Sequence, residues 1–406
     1  MQKKFFALVL AGVMALSALT ACGGDKDTAD ETTAPAGDAA ANDDAADAAT
    51  SDDGETFRLG GLAPLTGSVS VYGVSAMNGV EMAVEEVNAA GGINGQQIEF
   101  NVLDEKGDVT EAINAYGRLV ADHDIDALIG DVTSKPSISV AQRANEDGLP
   151  MITPTGTADA ITEQGETVFR TCFTDSYQGR AMASFIAGKG YSSAAVLYDN
   201  SDDYSVALYN AFTEEAKNQG VEITAEESFG ATDSDFKAQL TKIVSTNPEV
   251  LYVPAYYETN ALILRQAQET GFKGLITGGD GWDGILTQFK DDPSGADGVI
   301  FSNHYSLYDE DEKVQNFVSK YKETYGEDPT AFAALGYDSV YLLKQAVEEA
   351  GTKDKAAVVE ALKNIEFAGV TGSFKFDEKR NPIKTVSYVV VQGGKYELDS
   401  KEGVTE

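Results

Sequence analysis

From Phe57 onward, short apolar runs alternate with segments of helical periodicity, and this alternation constrains the fold more than any other feature of the chain. Such a pattern indicates the βα units of an α/β protein with parallel sheets. The units are too numerous for one sheet of usual size, so we expect two doubly wound parallel-sheet lobes. The strands are predicted at residues 57–63, 98–103, 127–130, 150–153, 194–198, 222–226, 250–254, 274–277, 298–302, 372–377 and 385–392.

The helical segments between these strands carry their own signals. In the first of them a single buried stripe is predicted from the apolar spacing of Met77, Val80, Val84 and Val87. Gly91 predicts the end of that helix, and Pro136 predicts the start of the third helix. Ligands of such sheets bind beyond the carboxyl ends of the strands. A cleft between two facing lobes would bring two sets of those ends together.

The first residues of the chain indicate a targeting signal and not a folded segment. Lys3 and Lys4 precede an apolar run over residues 5–19, which is short for a membrane span and typical of a signal peptide. The run ends in Leu-Thr-Ala directly before Cys22, and this arrangement resembles the bacterial lipoprotein signal. We therefore predict a signal peptide over residues 1–21 and a lipid on Cys22. The alternative is an ordinary secretory signal with a chance cysteine.

Residues 22–56 lack the apolar side chains that a core needs. Between Asp25 and Glu55 the chain is rich in Ala, Asp, Thr and Gly. Burial of such a segment cannot offset the entropy lost on ordering it, so we predict a disordered acidic tether between the lipid and the folded body. A structured acidic domain is the alternative, but it has nothing from which to make a core. A short C-terminal tail is expected at residues 399–406.

The charge and the scarcity of certain residues exclude several classes of function. A formal net charge of −36 at pH 7 repels phosphate backbones, so we expect no nucleic-acid partner. The same charge argues against adhesion to anionic lipid through a basic patch. The cysteines Cys22 and Cys172 and the histidines His123 and His304 offer little for a metal site or for catalysis. We therefore expect no metal, no cofactor and no enzyme. Cys172 is predicted to be a small buried apolar residue.

Several short motifs occur in an order that is typical of one family. They are Pro-Leu-Thr-Gly at 64–67 with Tyr-Gly at 72–73, Val-Asn-Ala-Ala-Gly-Gly-Ile-Asn-Gly at 87–95, Asp104 after the second strand, Pro-Met-Ile-Thr-Pro at 150–154 and Leu-Arg-Gln-Ala at 264–267. On these motifs the chain resembles the leucine/isoleucine/valine-binding proteins, which have the type I periplasmic-binding-protein fold. The resemblance covers residues 57–398.

This resemblance implies a particular division of the chain. Two lobes should be joined by three crossovers, near residues 172–175, 302–306 and 374–376. Each lobe is then discontinuous in sequence. The first lobe is expected to comprise residues 57–173 and 304–374, and the second residues 174–303 and 375–398.

The resemblance also implies a function. The chain would be an extracytoplasmic solute-binding lipoprotein of an ABC importer that captures an amino acid and delivers it to permease subunits in the membrane. A branched-chain or aliphatic amino acid is the expected ligand. The lipid on Cys22 would hold the protein on the extracytoplasmic face of the membrane, at the cell surface or in the periplasm. The same fold binds amides, urea or aromatic acids in other members and also serves in sensors, so these functions are alternatives.

Two loops that precede helices carry hydroxyl groups suited to a ligand's carboxylate. The resemblance implies that Ser134, Thr155 and Thr157 hold the carboxylate and amine of the ligand, with Thr133 beside Ser134 in the first of the two loops. The alternative is that these hydroxyls only cap their helices.

Aromatic and acidic side chains complete the predicted site. Tyr72, Tyr204 and Tyr256 match aromatic positions that line the family's cleft, although a lone tyrosine is usually half-buried packing. Asp280 matches a carboxylate that pairs with the ligand's ammonium, since a buried ammonium without an anion is costly. The chain has this shorter acid where Glu is common in the leucine-binding members, and Trp282 stands close by. The alternative for Asp280 is that it caps the segment after Trp282.

Overall fold

The structure is a computed structural model, and it describes residues 56–403. The predicted signal peptide, the lipid site at Cys22 and the acidic tether up to residue 55 lie outside these residues, as do the last three residues of the predicted tail. Within the described part, no helix combines the length and the apolar character that crossing a membrane requires.

The described chain alternates strands and helices along most of its length. The strands are β1 Phe57–Ala63, β2 Ile98–Asp104, β3 Ala127–Ile129, β4 Met151–Thr153, β5 Val168–Arg170, β6 Ser193–Asp199, β7 Glu222–Phe229, β8 Val250–Tyr252, β9 Leu275–Gly278, β10 Ile300–Asn303, β11 Glu366–Gly369, β12 Gly372–Lys375, β13 Val386–Gln392 and β14 Lys395–Glu402. The helices are α1 Ser70–Ala89, α2 Val109–His123, α3 Ser134–Glu146, α4 Asp175–Gly188, α5 Asp203–Asn218, α6 Lys237–Ser245, α7 Tyr257–Glu269, α8 Glu312–Tyr325, α9 Ala331–Ala350 and α10 Lys355–Asn364.

The strands form two main sheets, one in each lobe. The first sheet has five parallel strands in the order β2-β1-β3-β4-β5. The second has seven strands in the order β14-β13-β10-β9-β8-β6-β7, and it is parallel except for β13, which runs antiparallel to both β10 and β14. The hairpin β11–β12 packs on the first lobe, because Phe367 and Phe374 join its core. The predicted α/β fold with two lobes is confirmed.

Local sequence signals agree with most helix positions. All four apolar residues of the predicted stripe on α1 lie in the core of the first lobe, at Met77, Val80, Val84 and Val87. Helix α3 starts at Ser134, so Pro136 lies in its first turn and does not begin it. Cys172 is free and fully buried, as predicted.

Three strands were missed by the sequence prediction. The strand β5 has only three residues, all buried, and so shows no alternation. The hairpin strand β11 is similarly short. The strand β14 is largely exposed, and its pairing with β13 depends on backbone hydrogen bonds that leave no apolar pattern. Residues 399–402, expected in a C-terminal tail, therefore belong to this edge strand.

The chain passes between the lobes three times. The first passage lies between β5 and α4, and the second follows β10, close to the predicted positions. The third lies later than predicted, between Lys384 and Val386. The reason is that residues after β12 still pack on the first lobe: the Arg380 guanidinium donates hydrogen bonds to the carbonyls of Val168 (3.1 Å) and Thr162 (2.6 Å).

Candidate functional site

A cavity of about 260 Å³ lies between the lobes, where the carboxyl ends of the strands of both sheets meet. Eight of the nine predicted ligand-binding residues line it, and these residues come from six separate segments of the sequence. The lining residues are Tyr72, Val132, Thr133, Ser134, Thr155, Thr157, Tyr204, Tyr256, Asp280, Gly281 and Phe332.

The wall from the first lobe consists of uncharged donors at the start of α3. Thr133 is the N-cap residue of this helix, yet no side chain caps it. Ser134 Oγ instead accepts a hydrogen bond from the backbone N–H of Ala158 at 3.2 Å, and Thr155 Oγ1 donates to the carbonyl of Val132 at 2.7 Å. The hydroxyls thus tie the two loops together, and the capping alternative does not hold for α3. The uncapped end of a helix is a favourable place for an anion.

A buried arginine holds the second of these loops. Arg170 is fully buried at the end of β5, and its guanidinium donates to the carbonyls of Gly156 (3.1 Å), Thr157 (2.8 Å) and Ala158 (2.8 Å). These bonds turn three carbonyl oxygens toward Arg170. They also put a positive charge behind the wall of the first lobe, which favours a negative group in the cavity.

The wall from the second lobe carries a carboxylate. Asp280 follows β9 in a short 3₁₀ turn and is only 2% exposed. Its Oδ1 accepts hydrogen bonds from Gln178 Nε2 (3.0 Å) and the Tyr204 hydroxyl (2.9 Å), and its Oδ2 lies 3.0 Å from His304 Nε2. The 3₁₀ segment Ile285–Gln288 has no side-chain cap, so the capping alternative for Asp280 does not hold either.

The charge of Asp280 influences its titratable neighbours. Burial, and then the Asp280 charge, raise the pKa of Asp175 well above its usual range. The same two causes, in the same order, raise the pKa of the Tyr204 hydroxyl. Burial lowers the pKa of His304, while its hydrogen bond to Asp280 acts in the opposite direction. Of these titratable groups, Asp280 and Tyr204 line the cavity, and Asp280 is the acid among them.

Aromatic rings enclose the remaining space. The ring of Tyr72 packs edge to face against Phe332 (4.7 Å between centroids) and Tyr256 (5.7 Å). The Tyr72 hydroxyl, on the first lobe, donates to the carbonyl of Gly281 (2.6 Å) and accepts from the N–H of Tyr257 (2.9 Å), both on the second lobe. One side chain therefore forms part of the apolar wall and links the two lobes directly.

Comparison with known proteins agrees with this architecture. A family model described as "Periplasmic binding protein" matches residues 56–395. The chain belongs to the periplasmic binding protein family. A Leu/Ile/Val-binding protein of Rhizobium johnstonii is 32% identical over 310 residues, which cover 75% of this chain and 83% of that protein.

Two solved structures are similar over nearly their whole length. A leucine-binding protein from Thermotoga maritima is 34% identical, with a TM-score of 0.81 over 86% of this chain and 99% of that chain. A branched-chain amino acid transporter substrate-binding protein from Streptococcus pneumoniae, solved in complex with isoleucine, is 33% identical, with a TM-score of 0.80 over the same shares of the two chains. The resemblance to the leucine/isoleucine/valine-binding proteins is thereby confirmed.

One predicted residue of this periplasmic binding protein does not reach the cavity. Trp282 is fully buried in the core of the second lobe, where its Nε1 donates to the carbonyl of Val253 at 2.8 Å. A Cβ atom at Gly278 would lie only 2.2 Å from this indole nitrogen, so the ring fits closely against a bare backbone. Trp282 is near Asp280 in sequence, but the two side chains point in different directions along the 3₁₀ turn.

Four residues that support or line the site escaped prediction. Gln178 and His304 bond to Asp280, Arg170 holds the loop of the first lobe, and Phe332 completes the aromatic wall. A usable signal exists for His304, because the predicted second crossover over residues 302–306 includes it. The other three lack a local motif, since tertiary contacts bring them to the site.

Proposed function

We propose that this protein captures an α-amino acid, branched-chain or aliphatic, in the cleft between its lobes and delivers it to the permease of an ABC importer. The observation that carries the proposal is the opposition of two walls in one cavity. Asp280 presents a negative charge on one side, and the hydroxyls and uncapped helix start of the first lobe present neutral donors on the other. A zwitterionic amino acid carries an ammonium group, which suits the wall with Asp280, and a carboxylate, which suits the wall with the neutral donors.

Each end of the ligand has a partner in this arrangement. The ammonium pairs with Asp280 through a charge-assisted hydrogen bond. The carboxylate accepts from Ser134, Thr157 and the first N–H groups of α3. A ligand held at both ends joins the lobes, which adds to the bond that Tyr72 already makes across the cleft.

The aromatic part of the cavity lining favours an apolar side chain on the ligand. Tyr72, Tyr256 and Phe332 give an aliphatic side chain an apolar surface. The relative from Streptococcus pneumoniae was solved with isoleucine, which supports the same class of ligand.

A lipid anchor would hold the protein beside a permease in the same membrane. The sequence signal before Cys22 supports a lipid anchor on the extracytoplasmic face, and a diacylglycerol is needed because a single acyl chain gives only marginal binding. Cys22→Ala should release the protein from the membrane fraction or stall its processing, whereas Cys172→Ala should leave it anchored. A correctly processed Cys22→Ala protein that stays firmly in the membrane fraction would rule out this anchor.

The ligand class is tested by thermal denaturation with the standard amino acids, urea, acetamide and benzoate. A ligand that binds only the folded state raises the melting temperature. We expect leucine, isoleucine or valine to give the largest increase. An increase with benzoate, urea or acetamide but with no amino acid would contradict the proposal.

A further inference from the structure

The second passage between the lobes places a histidine directly behind Asp280. The imidazole of His304 is fully buried, and it stacks on Phe173 of the first passage with 3.8 Å between ring centroids. Its Nε2 lies 3.0 Å from Asp280 Oδ2, and its Nδ1 has no hydrogen-bond partner among the described residues. His304 does not line the cavity. It can therefore act on a ligand only through Asp280.

His304 leaves one hydrogen-bond acceptor position of the Asp280 carboxylate free. An ionised carboxylate offers about four lone-pair positions. Gln178 and Tyr204 occupy two at Oδ1, and the Tyr204 hydroxyl is a donor there because it already accepts from the N–H of Gly281. His304 occupies one of the two at Oδ2. One position at Oδ2 remains, and it suits a single N–H of an ammonium group.

The surroundings of His304 favour its neutral form with the proton on Nε2. An imidazolium would place a second N–H at Nδ1, where no acceptor lies, and an unpaired buried donor is costly. Two charged groups act on the ring: Asp280 favours the imidazolium, and the buried ammonium of Lys384 disfavours it. Asp175 and Cys172 lie within range of the same Asp280 charge, and burial raises the pKa of each group, that of Cys172 to about 12.

We propose that His304 is a positioning residue that presents Asp280 to the ligand's amine while neutral, and that displaces the amine when protonated. This inference rests on the proposed function. Neutral His304 fixes Oδ2 without cancelling the charge of Asp280. Protonated His304 forms an ion pair with Asp280 and removes the charge that the ammonium needs. Ligand binding and protonation of His304 therefore oppose each other.

The sign of the pH dependence follows from this opposition. Affinity for an amino acid is constant while His304 is neutral in the free protein, and it falls by up to about tenfold per pH unit once His304 becomes protonated. Burial lowers the pKa of His304 below its ordinary value of about 6.5, so the fall begins on the acid side of that value. Reciprocally, a bound amino acid should make His304 harder to protonate.

The test uses nitrogen NMR of the mature protein with and without leucine, between pH 8 and pH 4.5. The sequence has two histidines, and His123 at the end of α2 serves as the internal reference. His304→Gln assigns the second signal. We expect leucine to move the His304 midpoint to lower pH by about one unit or more, which corresponds to at least tenfold coupling, and to leave the His123 midpoint in place.

Calorimetric titration with leucine supplies the functional comparison. His304→Gln keeps a neutral N–H donor, so we expect affinity within about threefold of wild type at pH 7.5 and a weaker decline toward acid. His304→Leu removes the donor and should weaken binding by about tenfold at pH 7.5. Normal leucine binding with a His304 midpoint that leucine does not move would overturn the inference alone. Failure of wild type to bind any amine ligand at pH 7.5 would overturn the proposed function, and this inference with it.

Discussion

The two walls of the cavity present opposite kinds of chemistry. The first lobe offers neutral donors spread over two loops, held in place by Arg170 and by bonds between the loops. The second lobe concentrates a single charge in Asp280, with Gln178, Tyr204 and His304 as its supports. In the proposed function, the carboxylate of the ligand is held by several weak donors, whereas its amine depends on one group. Substitutions should therefore have unequal effects on the two sides.

The largest effect is expected at Asp280. Breaking one member of a buried ion pair costs roughly 3–5 kcal/mol. Asp280→Ala should therefore weaken leucine binding by about a hundred- to three-thousandfold in calorimetric titration. The matched control is Asp199→Asn, which changes an acid at the end of β6 that does not line the cavity and should alter affinity by less than about threefold. A loss of leucine affinity below about tenfold for Asp280→Ala would contradict the idea that the second lobe depends on this one group.

An intermediate effect is expected at Tyr72, which touches both lobes. Tyr72→Phe keeps the ring but removes the hydroxyl that bonds to Gly281 and Tyr257. These two hydrogen bonds, of about 0.5–1.5 kcal/mol each, hold the two lobes together across the cleft. Without them, leucine binding should weaken by about tenfold. Tyr198→Phe, on β6 and outside the cavity, is the control and should leave affinity unchanged. Equal leucine affinities for the two variants would show that the Tyr72 hydroxyl does not contribute to ligand binding.

A smaller effect is expected on the first lobe. Ser134→Ala removes one hydroxyl, but the backbone N–H groups at the start of α3 remain available to a carboxylate. Loss of one such bond of about 1 kcal/mol should weaken leucine binding by about fivefold. A loss as large as that of Asp280→Ala would mean that the first lobe also depends on one group.

The smallest effect on affinity is expected for two buried acids behind the first wall, Glu105 and Asp131, because neither lines the cavity. Burial raises the pKa of Glu105 to about 7, although a hydrogen bond from the N–H of Gly107 acts in the opposite direction. Burial, and then the Glu105 charge, raise the pKa of Asp131 well above its usual range. Glu105→Gln mimics the protonated acid, so leucine affinity at pH 6 should stay within about twofold.

Stability should nevertheless change at Glu105. A raised folded-state pKa means that the native protein binds more protons than the unfolded chain between about pH 4.5 and 7, so wild-type stability falls across that window as pH rises. Glu105→Gln removes this loss. The free energy of unfolding of the variant relative to wild type, measured in urea, should therefore be higher at pH 8 than at pH 5 by up to about 3 kcal/mol. A pH-independent difference would show that Glu105 titrates normally and that the first wall is not neutral.

The sequence predicted the scaffold better than the supports of the site. Strand-helix alternation and local motifs place the loops that carry Ser134, Thr157 and Asp280, because parallel strands bring their carboxyl ends to one edge. Gln178 reaches Asp280 from a distant segment through packing that no local pattern records. The predicted crossover over residues 302–306 includes His304 but does not reveal its contact with Asp280.

The errors have equally specific physical causes. Trp282 was placed in the site because it lies two residues from Asp280 in sequence, but its side chain packs into the core of the second lobe. The third passage was placed early because the contacts of Arg380 with the first lobe are tertiary. The strand β14 has an exposed, mostly polar pattern, and the backbone of β13 determines its conformation.

The central claim is that the second lobe recognises an amine, and a pair of ligands tests it most directly. Leucine and 4-methylpentanoate share the same carboxylate and the same aliphatic side chain, but only leucine carries an ammonium group. In calorimetric titration of the wild-type protein at pH 7.5, we predict that leucine binds and that 4-methylpentanoate binds at least about a hundredfold more weakly, since it leaves Asp280 buried and unpaired with a cation. Equal affinity for the two ligands would contradict the account.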